Sequence, residues 1–185
     1  MSPNFLSRLV KGKSKEEEKV VRSKGLEASI HEELHQIAGD LYNVLEAHNM
    51  RVSAFKVNEA PYIISDAAPR ERLIQVYSTN DPWLKDVLVD GVSQKNSEHP
   101  AWFALTSVRV AVGKVSKNWK EQFAAREFKY SDVTSVSGDK AGALKIDTTT
   151  GKIEVVFSQD VGQDVLAAFQ KLIEDRRRGG HQKRD

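Results

Sequence analysis

Hydrophobic and polar positions alternate over much of the C-terminal half of the chain, which predicts a series of β-strands. The alternation runs through residues 102–112, and a slip near Thr106 and Ser107 predicts a bulge or bend within one long strand. Another strand is predicted over residues 127–136. Two short apolar runs flank the turn-rich segment 147–151, and this combination predicts a β-hairpin.

The apolar spacing changes to three and four residues in two parts of the chain, which predicts amphipathic helices. One helix is predicted from Leu26 to about His48, with Asn49 as its C-terminal cap. The other lies near the C terminus, where the apolar positions are Val161, Val165, Leu166, Phe169, Leu172 and Ile173. Strands followed by one such helix predict a curved antiparallel sheet whose open end the helix closes.

Shorter elements are predicted between the first helix and these strands. Residues 51–57 and 72–78 have the composition of strands, and residues 62–64 form a short extended piece between two prolines. Residues 80–82 predict a turn, and residues 83–92 are compatible with either a helix or a strand.

The strand pattern includes two short motifs that resemble those of a known family. The matching positions, in chain order, are Leu105, Thr106, Arg109, Tyr130, Ser131, Asp132 and Val133. Together with the closing helix, they resemble the bacterial pleckstrin-homology-like (PH-like) family over about residues 72–175. The resemblance implies an α+β fold: a PH-like, antiparallel, partly open β-barrel closed by a C-terminal helix, with an N-terminal helix and short strands beside it. It also implies binding of peptides, other subunits or anionic lipid, and it does not imply catalysis.

Charge is distributed unevenly along the chain. The net charge is +2, but residues 1–24 hold seven Lys/Arg and three Glu, and residues 171–185 hold six Lys/Arg and three acids. Residues 25–170 therefore carry a net charge of −5. We predict four parts: a basic, disordered tail (1–24), an N-terminal helix with short strands (25–71), a PH-like domain (72–177) and a second basic tail (178–185).

One predicted loop, at residues 113–126, combines basic residues with an aromatic side chain. The candidate ligand-binding residues are Lys114, Lys117, Trp119, Lys120 and Arg126. Such a loop can contact phosphate groups or the surface of a partner. The alternative is a solvated turn whose tryptophan folds onto the sheet.

The sequence His-Glu-Glu-Leu-His at residues 31–35 is the one feature that suggests an enzyme. Histidines four residues apart on a helix can bind zinc, with Glu32 as the general base and Glu59 as a third ligand. Against this, Pro61 hinders a helical presentation of Glu59. The alternatives are chance occurrence on a helix packed on two sides, with His31 and His35 at the seam, or a helix that faces a partner.

These observations favour a non-enzymatic interaction module that binds a protein partner or an anionic lipid surface. The alternative is a small zinc metallopeptidase. We expect no cofactor for the interaction module, whereas the metallopeptidase would require zinc. The chain has no cysteine, which excludes disulfides and thiolate chemistry. We expect a cytoplasmic protein, with peripheral membrane attachment as an option. The acidic body disfavours nucleic acid as a partner, and homo-oligomerisation stays open.

Overall fold

The computed structural model describes residues 15–52, 68, 70–115 and 122–179, and these form three α-helices and nine β-strands. The helices are α1 (Lys15–Ala38), α2 (Leu41–Ala47) and α3 (Gln163–Gly179). The strands are β1 (Leu73–Ser78), β2 (Leu84–Val89), β3 (Val92–Ser93), β4 (Ala101–Thr106), β5 (Arg109–Val115), β6 (Gln122–Lys129), β7 (Val133–Gly138), β8 (Ala143–Thr148) and β9 (Gly151–Phe157). The predicted α+β class is confirmed.

The strands form two antiparallel sheets, with the orders β1-β4-β5-β6 and β3-β2-β9-β8-β7. Consecutive strands β1 and β2 belong to different sheets, so the short turn between them links the two. The sheets stay separate and do not close into one barrel. In this open form, with α3 packed on the sheet core, the predicted PH-like architecture is confirmed.

Phe169 on α3 joins the helix to both sheets. Its ring centroid lies 5.4 Å from that of Phe157 on β9, in a stacked arrangement. It also lies 5.9 Å from the ring of Phe103 on β4 and 6.4 Å from that of Tyr77 on β1. The aromatic side chain is fully buried. The three-and-four spacing of α3 therefore places one apolar stripe on the core, as predicted.

The prediction of one long strand over residues 102–112 was wrong, because the chain reverses direction inside it. Thr106 Oγ1 accepts hydrogen bonds from the backbone N–H groups of Val108, at 3.1 Å, and Arg109, at 3.0 Å. These bonds hold a tight turn at Ser107 and Val108, and β4 and β5 pair with each other as a hairpin. The side chain of one threonine thus converts an apparent bulge into a turn.

The predicted strand over residues 127–136 is also interrupted. A 3-10 helix at Tyr130–Asp132 separates β6 from β7, which belong to different sheets. The Tyr130 hydroxyl donates a 2.7 Å hydrogen bond to the carbonyl of Thr106. Burial raises the pKa of the Tyr130 phenol above its usual range. The buried tyrosine therefore fixes the corner where the chain passes between sheets.

The predicted helix over residues 26–48 is divided in two. Gly39 has a φ of +56°, a left-handed conformation that glycine adopts without steric cost. The chain turns there before α2 begins. Asn49 also has a positive φ, of 52°, directly after the C-cap residue His48. This is the capping position predicted for Asn49.

Helix α1 begins at Lys15, within the segment 1–24 that was predicted to be a tail. The sequence places three glutamates in its first turn, where negative charge favours a helix. The four-part division of the chain remains a prediction.

The short predicted elements agree with the described structure where it covers them. Strand β1 occupies the predicted segment 72–78, and residues 80–82 form a turn. Residues 83–92 contain strand β2, so the strand alternative was the right one. Most of the predicted strand at 51–57 and all of the piece at 62–64 lie outside the described residues.

Candidate functional site

Two of the predicted ligand-binding residues lie on the hairpin formed by β5 and β6. Lys114 is exposed near the end of β5, and Arg126 on β6 pairs in register with Val112. Lys117, Trp119 and Lys120 lie outside the described residues.

Asp90 forms hydrogen bonds with two other segments at this end of the molecule. Its carboxylate accepts a hydrogen bond from Arg126 Nη2 at 3.0 Å and another from the backbone N–H of Lys152 at 2.8 Å. The backbone N–H of Asp90 in turn donates to the carbonyl of Lys152 at 2.9 Å. The β2–β3 turn, the start of β9 and the β5–β6 hairpin are therefore held together by one aspartate.

Gly151 leaves the space that this arrangement needs. A Cβ atom on Gly151 would lie 2.7 Å from Asp90 Oδ1, which is closer than real Cβ contacts come. A side chain at this position would push the Asp90 carboxylate, which is 45% exposed, away from its hydrogen bonds.

We expect Gly151→Ala to lower the free energy of unfolding by about 1 kcal/mol, because the added Cβ displaces the exposed Asp90 carboxylate from its hydrogen bonds. Urea denaturation measures this difference. Gly138→Ala is the matched control, since its Cβ would make ordinary contact with Leu166 at 3.6 Å. A cost for Gly151→Ala no larger than that of the control would contradict the close approach of Asp90.

An exposed apolar side chain accompanies the charges. Val92 follows the β2–β3 turn and is 64% exposed, whereas large apolar side chains in the described residues are otherwise mostly buried. We call the surface formed by Asp90, Val92, Lys114, Arg126 and Lys152 the hairpin end. Sequence reasoning found two of its members and missed the other three, which come from the β2–β3 turn and the start of β9.

The hairpin end carries three cations and one carboxylate, and a second carboxylate, that of Asp147, lies beside Lys152. The Asp90 carboxylate partly offsets the charge of Arg126, and Lys152 Nζ lies 3.7 Å from Asp147 Oδ1 in an exposed pair. Exposed ion pairs of this kind contribute little to stability, so the cations can exchange their carboxylate partners for an anionic group of a ligand. This chemistry suits attraction of anionic groups.

The histidines of the predicted zinc motif come together at the seam between α1 and α2. His35 Nε2 lies 3.1 Å from His31 Nε2, and the His35 ring packs edge-on against Tyr42, with centroids 5.2 Å apart. Tyr42 is buried and donates a 2.7 Å hydrogen bond to the carbonyl of Ile74. The arrangement matches a helix packed on two sides with the histidines at the seam.

No group of three potential ligands accompanies this pair in the part of the chain that the structure describes. Glu32 is exposed on α1, and Glu59 lies outside the described residues. The zinc alternative therefore stays a prediction.

The residues that suggested the PH-like resemblance have structural partners. Arg109 pairs with the buried carboxylate of Glu71 through Nε, at 2.9 Å, and Nη2, at 3.1 Å. Arg109 Nη1 also donates to Glu127 at 2.8 Å, and the Thr106 hydroxyl donates to Glu71 at 2.7 Å. These motif residues thus build an internal ion-pair network that ties the chain before β1 to the β4–β5 hairpin.

The described helices include none that is long and apolar enough to cross a membrane.

No protein-family profile and no curated protein matches the sequence. Among solved structures, the chain is similar to the N-terminal PH domain of human ARAP2, with a TM-score of 0.39 and 12% identity, over 60% of this chain and 85% of that one. It is also similar to the PH domain from TgAPH, with a TM-score of 0.39 and 12% identity, over 55% of this chain and 84% of that one. Overlap this low assigns no function, so the PH-like description rests on strand order and the closing helix. The assignment to the bacterial members of the PH-like family stays a prediction.

Proposed function

We propose that the chain is a non-enzymatic binding module whose hairpin end docks on an anionic lipid surface. The observation that carries the proposal is the β5–β6 hairpin with its exposed Lys114 and with Arg126 bonded to Asp90, next to the exposed Val92 of the β2–β3 turn. The predicted basic loop includes residues 116–121, between β5 and β6 in the sequence. Its sequence adds two lysines and a tryptophan against one glutamate.

Local charge, and not the charge of the whole molecule, supports this choice. Residues 25–170 carry a net charge of −5, so attraction to anionic lipid requires a concentrated cationic patch. Each Lys or Arg close to an anionic bilayer contributes about 1 kcal/mol, and the attraction extends over roughly a Debye length. Several cations on one end therefore supply a useful and salt-sensitive attraction.

The apolar component favours a lipid surface over a purely ionic contact. Val92 is exposed after the β2–β3 turn, and Trp119 belongs to the predicted basic loop. Tryptophan is well suited to the interface between headgroups and acyl chains, because its ring is largely apolar and carries one polar N–H group. An apolar contact combined with basic residues is the usual chemistry of proteins that lie on a membrane.

We expect Lys117→Glu/Lys120→Glu to reduce partitioning onto vesicles containing phosphatidylserine by about 30-fold or more. Loss of two cations removes about 2 kcal/mol, and the two new acids add repulsion. Vesicle sedimentation measures the partitioning. Trp119→Ala should also weaken binding, with a smaller change in salt dependence, since salt does not screen an apolar contact.

Lys140→Glu/Lys145→Glu is the matched control. It changes the net charge equally, but both positions lie toward the β7–β8 turn, at the opposite end of β8 from the β8–β9 turn. We expect it to bind vesicles nearly as the wild-type chain does. Equal binding by all three variants would refute the lipid-docking role of the hairpin end, and absence of wild-type binding would leave the protein-partner alternative.

A further inference from the structure

A second candidate binding surface lies at the other end of the β5–β6 hairpin. A cleft of about 670 Å³ opens where the α1–α2 corner, the β4–β5 turn, the 3-10 helix and α3 meet. This volume falls within the range typical of ligand sites in proteins. We call it the corner cleft. Four separate segments form it, so no single stretch of sequence predicts it.

The floor of the corner cleft is apolar. Val108 in the β4–β5 turn is 40% exposed and faces the same cleft as Leu172 of α3. The side chains of Ile37, on α1, and Ala168, on α3, are half-buried along its walls. An exposed valine beside half-buried apolar side chains leaves apolar surface that a ligand could cover.

The rim of the corner cleft has an excess of positive charge. Lys171 donates to Asp40 at 3.1 Å, and this hydrogen bond raises the pKa of the lysine. Lys129 and Arg176, by contrast, have no ion-pair partner within the described part of the chain. Asp175 is the remaining acid on the rim. Two cations are therefore available to pair with acidic groups from outside.

We propose that the corner cleft binds a short acidic peptide segment of a partner protein. An apolar side chain of that peptide would cover Val108 and Leu172, while its carboxylates pair with Lys129 and Arg176. The peptide would thereby satisfy both the apolar floor and the unpaired cations.

The basic segments of this chain fit the corner cleft poorly. Residues 1–24 hold seven Lys/Arg and three Glu, and residues 180–185 hold two basic residues and one acid. Like charge would oppose their binding beside Lys129 and Arg176. Charge complementarity therefore favours an acidic partner over either terminus.

The corner cleft and the hairpin end are separate surfaces. Strand β6 runs from Gln122, at the hairpin end, to Lys129, in the cleft, and its 8 residues span roughly 20–25 Å. A partner peptide and an anionic surface can thus bind without competing. The cleft proposal does not depend on the proposed lipid docking.

Selection of random dodecapeptides displayed on phage, with the full chain as bait, tests the proposal. We expect enriched peptides to combine acidic residues with at least one large apolar side chain. Their affinity, measured by fluorescence anisotropy, should fall about tenfold or more in Lys129→Glu/Arg176→Glu. Val108→Ser should lower the affinity for the same peptides without altering the salt dependence of binding. If charge reversal prevents folding, Lys129→Gln/Arg176→Gln replaces that variant and should also lower the affinity for the peptides.

Lys117→Glu/Lys120→Glu, which alters the hairpin end, is the control and should bind the peptides as the wild-type chain does. Any of these results would overturn the proposal: no enriched peptide, enrichment without acidic residues, or equal binding to wild type and the Lys129/Arg176 variants. Self-association that disappears in those variants would identify a second copy of the chain as the occupant and would also overturn it.

Discussion

Phe169→Ala should lower the free energy of unfolding by about 3–5 kcal/mol, the range typical of truncating a buried aromatic side chain. Phe169 is fully buried and contacts aromatic rings on both sheets, at 5.4 Å for Phe157 and 5.9 Å for Phe103. Alanine at this position leaves a cavity where α3 joins the two sheets. Urea denaturation, followed by far-ultraviolet circular dichroism, measures the change.

Two further variants make the measurement interpretable. Phe169→Leu fills most of the space and should cost less than alanine, so it remains measurable if the alanine variant does not fold. Arg178→Ala on the exposed side of α3 should change stability by less than about 0.5 kcal/mol. A cost below about 1 kcal/mol for Phe169→Ala would show that α3 does not close the core, in conflict with the PH-like architecture.

The parts of the fold that follow from local pattern were predictable. The β8–β9 hairpin is visible because turn-forming residues separate two apolar runs, and α3 because its apolar residues keep one period. Asn49 was predictable as a cap because asparagine tolerates a positive φ. In each case, the physical cause lies within a few residues along the chain.

The wrong predictions share a different cause. The alternation slips at Thr106 and Ser107 and then resumes, as it would at a bulge, so the pattern does not distinguish a bulge from the turn that the Thr106 hydroxyl stabilises. In the same way, apolar spacing continues past Gly39, although that residue's φ of +56° ends α1. Periodicity records which face is buried, and it does not record where the backbone changes direction.

The candidate sites were predictable only in part, because tertiary contacts assemble them. Lys114 and Arg126 stand out as basic residues near a tryptophan in the sequence. Asp90 is distant in the sequence from Arg126, yet it accepts a hydrogen bond from that side chain. The corner cleft joins Lys129 with Arg176 across an even longer separation. No local pattern connects such positions before the strands are paired.

Arg109→Met should be the other strongly destabilising change, with an expected cost of about 3–5 kcal/mol. The Glu71 side chain is 0% exposed, and Arg109 supplies two of its hydrogen bonds, at 2.9 Å and 3.1 Å. Methionine retains the packing of the arginine stem, so the variant chiefly removes the positive charge. A buried carboxylate then remains without its cation, which costs far more than the loss of an exposed pair.

A double-mutant cycle separates this effect from a general loss of packing. Glu71→Gln keeps an oxygen for the Thr106 hydroxyl and removes the negative charge. In the Glu71→Gln/Arg109→Met double variant, the carboxylate that stays unpaired is that of Glu127, which is 26% exposed, and not a fully buried one. The two costs should therefore fall short of additivity by about 1–3 kcal/mol. Arg126→Met is the matched control, because its exposed pair with Asp90 should be worth at most about 1 kcal/mol. Additive costs would mean that Glu71 and Arg109 stabilise the β4–β5 corner independently and not as a buried ion pair.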